Sequence, residues 1–281
     1  MSDRVTIVTV AYNSSEVLRD LIASVPPSAD LAIVDNGSHD IEALRVLCDR
    51  PGVRLIENGE NLGFGTACNV GAQGSTRDFL FFLNPDARLR PDTLDRLCAA
   101  ADRYPDASAF NPLIREPDGS TFFRRRSVLL PRSRWMPRGA PTEDREITLL
   151  SGAAIFARRS AFEAIGGFDE DIFLFHEDDD ISLRLEARGP LMFIRDAVVI
   201  HGGGSTSGDR AEVAAFKARL MGQSRVQTTI KHGIPFARVR NLADAGLQAM
   251  NVMVLFSRRK RAKNWAFLRG VWDETFSRGK T

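Results

Sequence analysis

The sequence predicts an α/β protein with a mostly parallel central sheet flanked by helices and a helical appendage at the carboxyl end. Three observations predict it. Short apolar runs at residues 5–10, 31–34, 53–56 and 79–83 alternate with segments of helical spacing, and strands alternating with helices pair in parallel. The run at 79–83 is apolar at every position, as a fully buried strand allows. From about residue 209 onward the pattern is helical without strands.

Residues 5–10 are the first strand. Ser14 or Ser15 caps a helix in which Leu18, Leu21, Ile22 and Val25 recur at helical spacing, and Pro26-Pro27 ends it. The second strand, 31–34, is stopped by Asp35-Asn36-Gly37-Ser38. Ile41, Leu44 and Leu47 mark a helix closed by Pro51-Gly52, and a third strand follows at 53–56. A glycine-rich loop from Asn61 opens a helix of small residues. The fourth strand, 79–83, stops abruptly at Asn84-Pro85. A helix over 91–104 carries Leu94, Leu97 and Ala101 on one face. Residues 111–145, rich in Pro, Arg, Gly and Ser, read as a long, partly mobile loop, which in a compact domain is functional or disordered. A strand at 149–157, a helix from Ser160, a turn at Gly166-Gly167-Phe168-Asp169 and a last strand at 193–200 complete the domain. The expected division is a first domain over 1–208 and a helical extension over 209–281.

Hydrophobic content of 43% and charged content of 26% are ordinary for a globular chain, and a net charge of +2 excludes a general nucleic-acid binder. Met1-Ser2-Asp3-Arg4 leads directly into the first strand, with no signal peptide. Three cysteines, far apart and without a C-x-x-C pair, exclude a disulfide framework and fit a reducing cytoplasm.

Five constellations can carry chemistry. Asp35, at a strand end before a glycine turn, can accept hydrogen bonds from a base or ribose, although the same residues build an ordinary turn. The glycines from Gly63 can bring backbone N–H groups to a phosphate or serve close packing. Asp86 sits past the carboxyl end of a buried strand, where open α/β sheets bind ligands. It can hold a divalent cation bridging two phosphates, with Asn84 offering a neutral oxygen. Glu177-Asp178-Asp179-Asp180 suits a helix N-terminus, yet one or two acids would suffice for that. Aromatic residues just before them suit a carboxylate of raised proton affinity, as a general base for a hydroxyl requires. His201 closes a strand and can complete a metal site with Asp86.

Taken in order, these segments resemble family-2 glycosyltransferases of the GT-A fold. The resemblance rests on Thr9-Val10-Ala11-Tyr12-Asn13, Val34-Asp35-Asn36-Gly37-Ser38, Asn61-Leu62-Gly63-Phe64-Gly65, Leu83-Asn84-Pro85-Asp86-Ala87, Ser151-Gly152-Ala153, Gly166-Gly167-Phe168-Asp169-Glu170 and Glu177-Asp178. It covers residues 4–205, and within the family the look is that of the rhamnosyltransferase-like branch of surface-polysaccharide assembly. The resemblance implies inverting transfer of a sugar, rhamnose or another hexose or deoxyhexose, from a nucleotide-diphosphate donor to a saccharide or lipid-linked saccharide acceptor. It also implies that Ala11 and Asp35 line the nucleobase pocket, that Asn69 lies near the donor, and that Asp86 is the surviving carboxylate of D-x-D. Asp178 becomes the catalytic base, Glu177 its acidic neighbour, and His201 a partner of Asp86 on manganese or magnesium. The first D-x-D position is Asn84 here, so the cation is expected to bind mainly together with the donor.

Two alternatives stay open on the sequence: a sugar-1-phosphate nucleotidyltransferase and a non-catalytic nucleotide- or saccharide-binding module. Leu242, Leu247, Met250 and the apolar residues 252–256 precede a basic run at 258–263 and Trp265. That pattern suits an anionic membrane surface or a helix packed on the first domain. The expected localisation is therefore cytoplasmic, with peripheral attachment at the inner face of the plasma membrane as the membrane reading. Oligomeric state stays open.

Overall fold

Four strands lie where the periodicity puts them: β1 (Val5–Ala11), β2 (Asp30–Asp35), β3 (Val53–Glu57) and β4 (Phe79–Leu83), all parallel in the order β3-β2-β1-β4. They alternate with α1 (Ser15–Ser24), α2 (Ile41–Cys48) and α3 (Phe64–Ala72). Phe79, Phe81 and Leu83 of β4 join one buried cluster with Ile7, Ile33 and Phe156, while Leu80 and Phe82 join another with Val8, Val34 and Ile155. Side chains alternate across a sheet, so a strand covered on both sides must be apolar throughout. The computed structural model describes residues 1–202, 211–250 and 257–277.

Beyond β4 the sheet becomes mixed. The further elements are β5 (Ala87–Leu89), α4 (Thr93–Arg103), β6 (Ala109–Arg115), β7 (Thr121–Phe122), β8 (Arg145–Ile147), β9 (Ala154–Arg158), α5 (Arg159–Ala164), α6 (Glu177–Glu186) and β10 (Leu191–His201). The order continues β4-β9-β6-β10-β5, with β7 paired to β6 and β8 to β10. Strand β9 runs antiparallel to β4 and β6, and β10 runs parallel to β6. The segment read from sequence as one long loop over 111–145 thus begins inside a central strand, contains the short β7 and ends where β8 begins. Strand β6 escaped notice because Asn111 and Pro112 occupy its middle. Its ladder to β9 covers only Ala109 and Phe110. Past that point the Asn111 amide takes over, donating to the Ala154 carbonyl and accepting from the Ser151 N–H at 3.0 Å. Pro112, which has no N–H to give, falls where β6 and β9 part.

All three cysteines are buried. Burial pushes the Cys48 and Cys98 thiols up to about 11, so neither is a nucleophile at neutral pH.

The chain divides into two units, residues 1–170 with 178–206, and residues 171–177 with 207–281. The second contains α7 (Ala211–Lys231), α8 (Ala237–Ala249) and α9 (Arg258–Phe276). The apolar residues 252–256 singled out above lie outside the described residues. Helices α7 and α9 touch through glycines: a Cβ on Gly270 would stand 2.0 Å from the Arg219 carbonyl oxygen, and one on Gly222 2.4 Å from that of Phe267. Alanine normally favours a helix interior by about 0.5–1 kcal/mol over glycine. Gly270→Ala is nonetheless expected to destabilise, by about 1–3 kcal/mol, because the helices must separate; urea unfolding followed by Trp265 and Trp272 fluorescence would measure it.

Candidate active site

The carboxyl ends of β1, β2 and β4 form one edge, the edge at which α/β sheets hold ligands. Ala11 and Asp35 are partners in the β1–β2 register there. Asp35 is buried, and its carboxylate accepts from the N–H groups of Gly37 at 3.1 Å and Ser38 at 3.2 Å, so it braces its own turn. The neighbouring Asn36, read from sequence only as a turn residue, is a hub. Its amide donates to Asn61 Oδ1 and the Gly63 carbonyl and accepts from Asn58 Nδ2 and the Leu62 N–H. That side chain welds the turn after β2 to the glycine loop before α3.

The glycines of that loop and helix serve close packing. A Cβ on Gly65 would meet Phe168 Cβ at 2.9 Å, and one on Gly71 would meet Val8 Cγ1 at 2.4 Å. Asn69 faces the backbone of Phe168, donating to its carbonyl at 2.9 Å and accepting from its N–H at 2.8 Å. It therefore clamps the Gly166-Gly167 turn against α3; a Cβ on Gly167 would lie 2.5 Å from its Oδ1.

Past β4, Asn84, Asp86 and His201 come together. Asn84 Nδ2 lies 3.0 Å from His201 Nε2, and that nitrogen lies 3.4 Å from Asp86 Oδ1. Strand β5 makes this possible: Ala87 pairs with His201 across the antiparallel β5–β10 ladder, and the Gly202 N–H donates to the Asp86 carbonyl. Glu116 stands 3.5 Å from the other ring nitrogen, and the Asn84 amide nitrogen, which can only donate, makes Nε2 the acceptor of their hydrogen bond.

Among the described residues no group of three or more His, Cys, Asp or Glu side chains could hold a metal ion. Asp86 and His201 do supply two donors, one carboxylate and one imidazole, to a common point. Manganese and magnesium take one or two protein ligands and fill the rest with phosphate oxygens and water. The donor set therefore fits a cation arriving with a diphosphate, rather than a preformed cage.

The acidic run resolves into distinct situations. Asp180, wholly buried, is paired with Arg184 at 2.6 Å on the next helical turn. Asp179, 1% exposed, is paired with Arg124 at 2.7 Å. Asp178 retains 15% exposure and accepts from the Gly152 N–H at 3.4 Å, with Arg124 at 3.5 Å. Glu177 is the first residue of α6. The chain enters that helix through Phe175 and His176, both in the left-handed region at φ 68° and 64°, a conformation that costs a non-glycine residue about 1–2 kcal/mol.

A short relay of contacts joins the two acidic centres. The Asn84 N–H donates to the Ala153 carbonyl at 3.1 Å, and the adjacent Gly152 meets Asp178. A Cβ on Gly152 would sit 3.3 Å from Asp178 Cβ, so a larger residue there would push α6 back by a few tenths of an ångström. Asp86, Asn84, His201 and Asp178 are thus linked by one chain of contacts, whereas Ala11 and Asp35 lie at the strand ends of β1 and β2, and Asn69 lies within α3 against the Gly166-Gly167 turn. Sequence reading missed Glu116 and took Asn36 only as a turn residue; it singled out the arginine-rich loop at 124–138, as a contact for an acceptor phosphate or simply a solvated loop, but not the bonds of Arg124 to the acidic run. A separate depression lined by Thr6, Asp30, Gly52 and Ser75 lies at the opposite ends of β1–β3 and holds none of these residues.

A curled mixed sheet flanked by helices, with its carboxylates gathered at one strand edge, defines a GT-A glycosyltransferase. The chain belongs to glycosyl transferase family 2, whose model matches residues 6–166. It is 34% identical over 236 residues to the N-acetylglucosaminyl-diphospho-decaprenol L-rhamnosyltransferase of Mycobacterium tuberculosis, covering 72% of this chain and 76% of that protein. It is 24% identical over 215 residues to the dTDP-rhamnosyl transferase RfbF of Shigella flexneri, covering 74% and 72%. The fold is shared with the mannosyltransferase PcManGT of Pyrobaculum calidifontis, solved with GDP-Man and Mn2+, at TM-score 0.61 and 13% identity over 98% of this chain and 88% of that one. It is shared also with S. aureus TarS in complex with UDP-GlcNAc, at TM-score 0.57 and 15% identity over 96% and 91%.

Proposed function

We propose that this chain is an inverting transferase that moves rhamnose, or a related hexose, from a nucleotide diphosphate to a hydroxyl of a lipid-linked saccharide in surface-polysaccharide assembly. The observation that supports the reading is the chain of contacts from Asp86 and His201 through Asn84, Ala153 and Gly152 to the partly exposed Asp178. The relatives' printed activities supply the sugar and the acceptor class. Family membership sets aside the nucleotidyltransferase alternative; donor turnover tests the non-catalytic one.

Asp178 takes the proton from the acceptor hydroxyl as that oxygen attacks the anomeric carbon from the face opposite the diphosphate. The anomeric C–O bond breaks, its electron pair leaves with the phosphate, and configuration inverts. The Gly152 N–H and the Arg124 guanidinium, 3.4 and 3.5 Å from the carboxylate, fix its direction. Glu177 is its acidic neighbour. On the donor side, Ala11 and Asp35 border the base, and Asn69 positions the turn that closes the site. Asp86 and His201 would hold a manganese or magnesium ion, whose chemistry is to neutralise charge on the departing diphosphate.

Thermal stabilisation by a panel of nucleotide sugars, with and without manganese, tests the donor; a panel that shifts nothing would count against the reading. Asp86→Ala is expected to raise the manganese concentration for half-maximal transfer by about 10–100-fold, the scale of one lost charge-assisted contact. A manganese titration of initial rates checks it, and an unmoved midpoint would remove Asp86 from the cation site.

A membrane-surface role for α9 belongs to the same reading. Its first turn carries Arg258, Arg259, Lys260 and Arg261, all exposed, where the helix dipole disfavours positive charge, and Trp265 beyond them is 60% exposed. Such a terminus suits anionic headgroups. Among the described residues no helix is long and apolar enough to cross a membrane. Co-sedimentation with phosphatidylglycerol vesicles at low salt, lost at high salt, is the expected result; absence of binding at low salt would sink it.

A further inference from the structure

Residues 124–138 contain six arginines and no acid, and the transfer mechanism uses only Arg124. The segment is bolted along the base-bearing helix at two points. Arg124 bonds Asp179 and lies beside Asp178, and Arg134 pairs with Glu186 of the same helix. The bonded carboxylates, Asp179 and Glu186, are seven residues apart, about 10.5 Å along a helix. Between them the segment is tied to itself: Met136 N–H donates to the Arg125 carbonyl at 2.9 Å, Arg125 Nη1 donates back to the Met136 carbonyl at 3.0 Å, and Trp135 Nε1 donates to the Leu130 carbonyl.

This frame gathers two charges that it does not neutralise. The guanidinium carbons of Arg126 and Arg132 stand 5.7 and 5.8 Å from the centre of the Trp135 ring, and both side chains are exposed. Neither has a carboxylate within ion-pair distance among the described residues. Two cations drawn to one ring repel each other, while each cation–π contact is worth only about 0.5–1 kcal/mol at an exposed site. An arginine pair on a rigid platform is suited to phosphate, which it grips through forked, charge-assisted hydrogen bonds.

Position supplies the second argument. Arg126 is two residues from Arg124, at most about 7 Å of extended chain, and Arg124 lies beside the base. That is the span of a single sugar ring. With a hydroxyl at Asp178, a phosphate on the far side of the same sugar falls within reach of Arg126 and Arg132.

We infer that Arg126 and Arg132, held on Trp135, are the subsite for the diphosphate of the acceptor. The inference rests on the transferase reading and adds what that reading leaves open, namely how a phosphorylated acceptor is told from a neutral one.

The test compares two soluble acceptors: N-acetylglucosaminyl diphosphate bearing a short alkyl chain, and the alkyl glycoside of the same sugar without phosphates. The wild type should prefer the diphosphate. R126A/R132A should raise the KM for it by about 100-fold, roughly tenfold per lost charge-assisted contact, and that for the neutral glycoside far less. R126K/R132K should recover part of the loss, and unchanged melting would show the fold intact. A double variant that keeps the preference, or loses both acceptors equally, would overturn the assignment. So would phosphatidylglycerol vesicles that inhibit the wild type but not R126A/R132A, because the patch would then serve membrane headgroups. Should the wild type turn over neither acceptor, the acceptor class proposed above fails. Calorimetric binding of the diphosphate probe to wild type and R126A/R132A then still decides the subsite, equal affinities rejecting it.

Discussion

Asp178→Asn is expected to abolish transfer, lowering kcat by about 10²–10⁴-fold, the usual contribution of a general base, while donor affinity and melting temperature stay close to wild type. The substitution preserves shape and the capacity to accept from the Gly152 N–H, but removes the basic site that would take the acceptor proton. Its neighbours provide the contrast. Asp179 and Asp180 are buried and paired with Arg124 and Arg184, so replacing either should cost stability first. Rates from radiolabelled donor, beside nucleotide binding by calorimetry, separate these outcomes. Near-normal turnover by Asp178→Asn would move the base elsewhere.

The second large effect is expected at Arg184, where Arg184→Leu should destabilise the first unit by about 3–5 kcal/mol, the scale for breaking a buried ion pair from one side. Its guanidinium pairs with the wholly buried Asp180 and donates to the carbonyls of Ile165 and Gly167. One side chain thus neutralises a carboxylate inside α6 and satisfies two carbonyls at the turn that Asn69 clamps from the other side. Chemical denaturation measures the loss, and a change below about 1 kcal/mol would mean that water takes over these groups. Activity per folded molecule should fall less than in Asp178→Asn, because Arg184 touches no reacting group.

The parallel half of the sheet was legible in the sequence because β4 alternates between two buried layers and so cannot carry a polar residue. Strand β6 was not, since Asn111 and Pro112 are loop residues by composition, and only the folded chain shows the Asn111 amide replacing the missing ladder. The same limit applies to the acids. Helix spacing places residues 177–180 on four successive bearings, and which of them meets an arginine depends on where residues 124 and 184 lie in space. Asp86 could be read from its strand end, whereas Glu116 could not, because the strand that delivers it was itself read as loop. Left-handed Phe175 and His176 carried no signal either, since a bulky residue rarely adopts that conformation and the enrichment of histidine there is too small to read from one position.

Asn69 reaches Phe168 across 99 residues of sequence, and Asn84 reaches His201 across 117. Closing loops of that length costs entropy that local contacts do not return, so these junctions form late. A growing chain can complete β1 to β4 once residue 83 has emerged, yet it lacks His201 until more than a hundred further residues have been made. On the proposed reading, a nascent chain would acquire its donor edge well before it could hold a diphosphate, and a chain cut short of β10 would stay catalytically silent even with its first four strands in place.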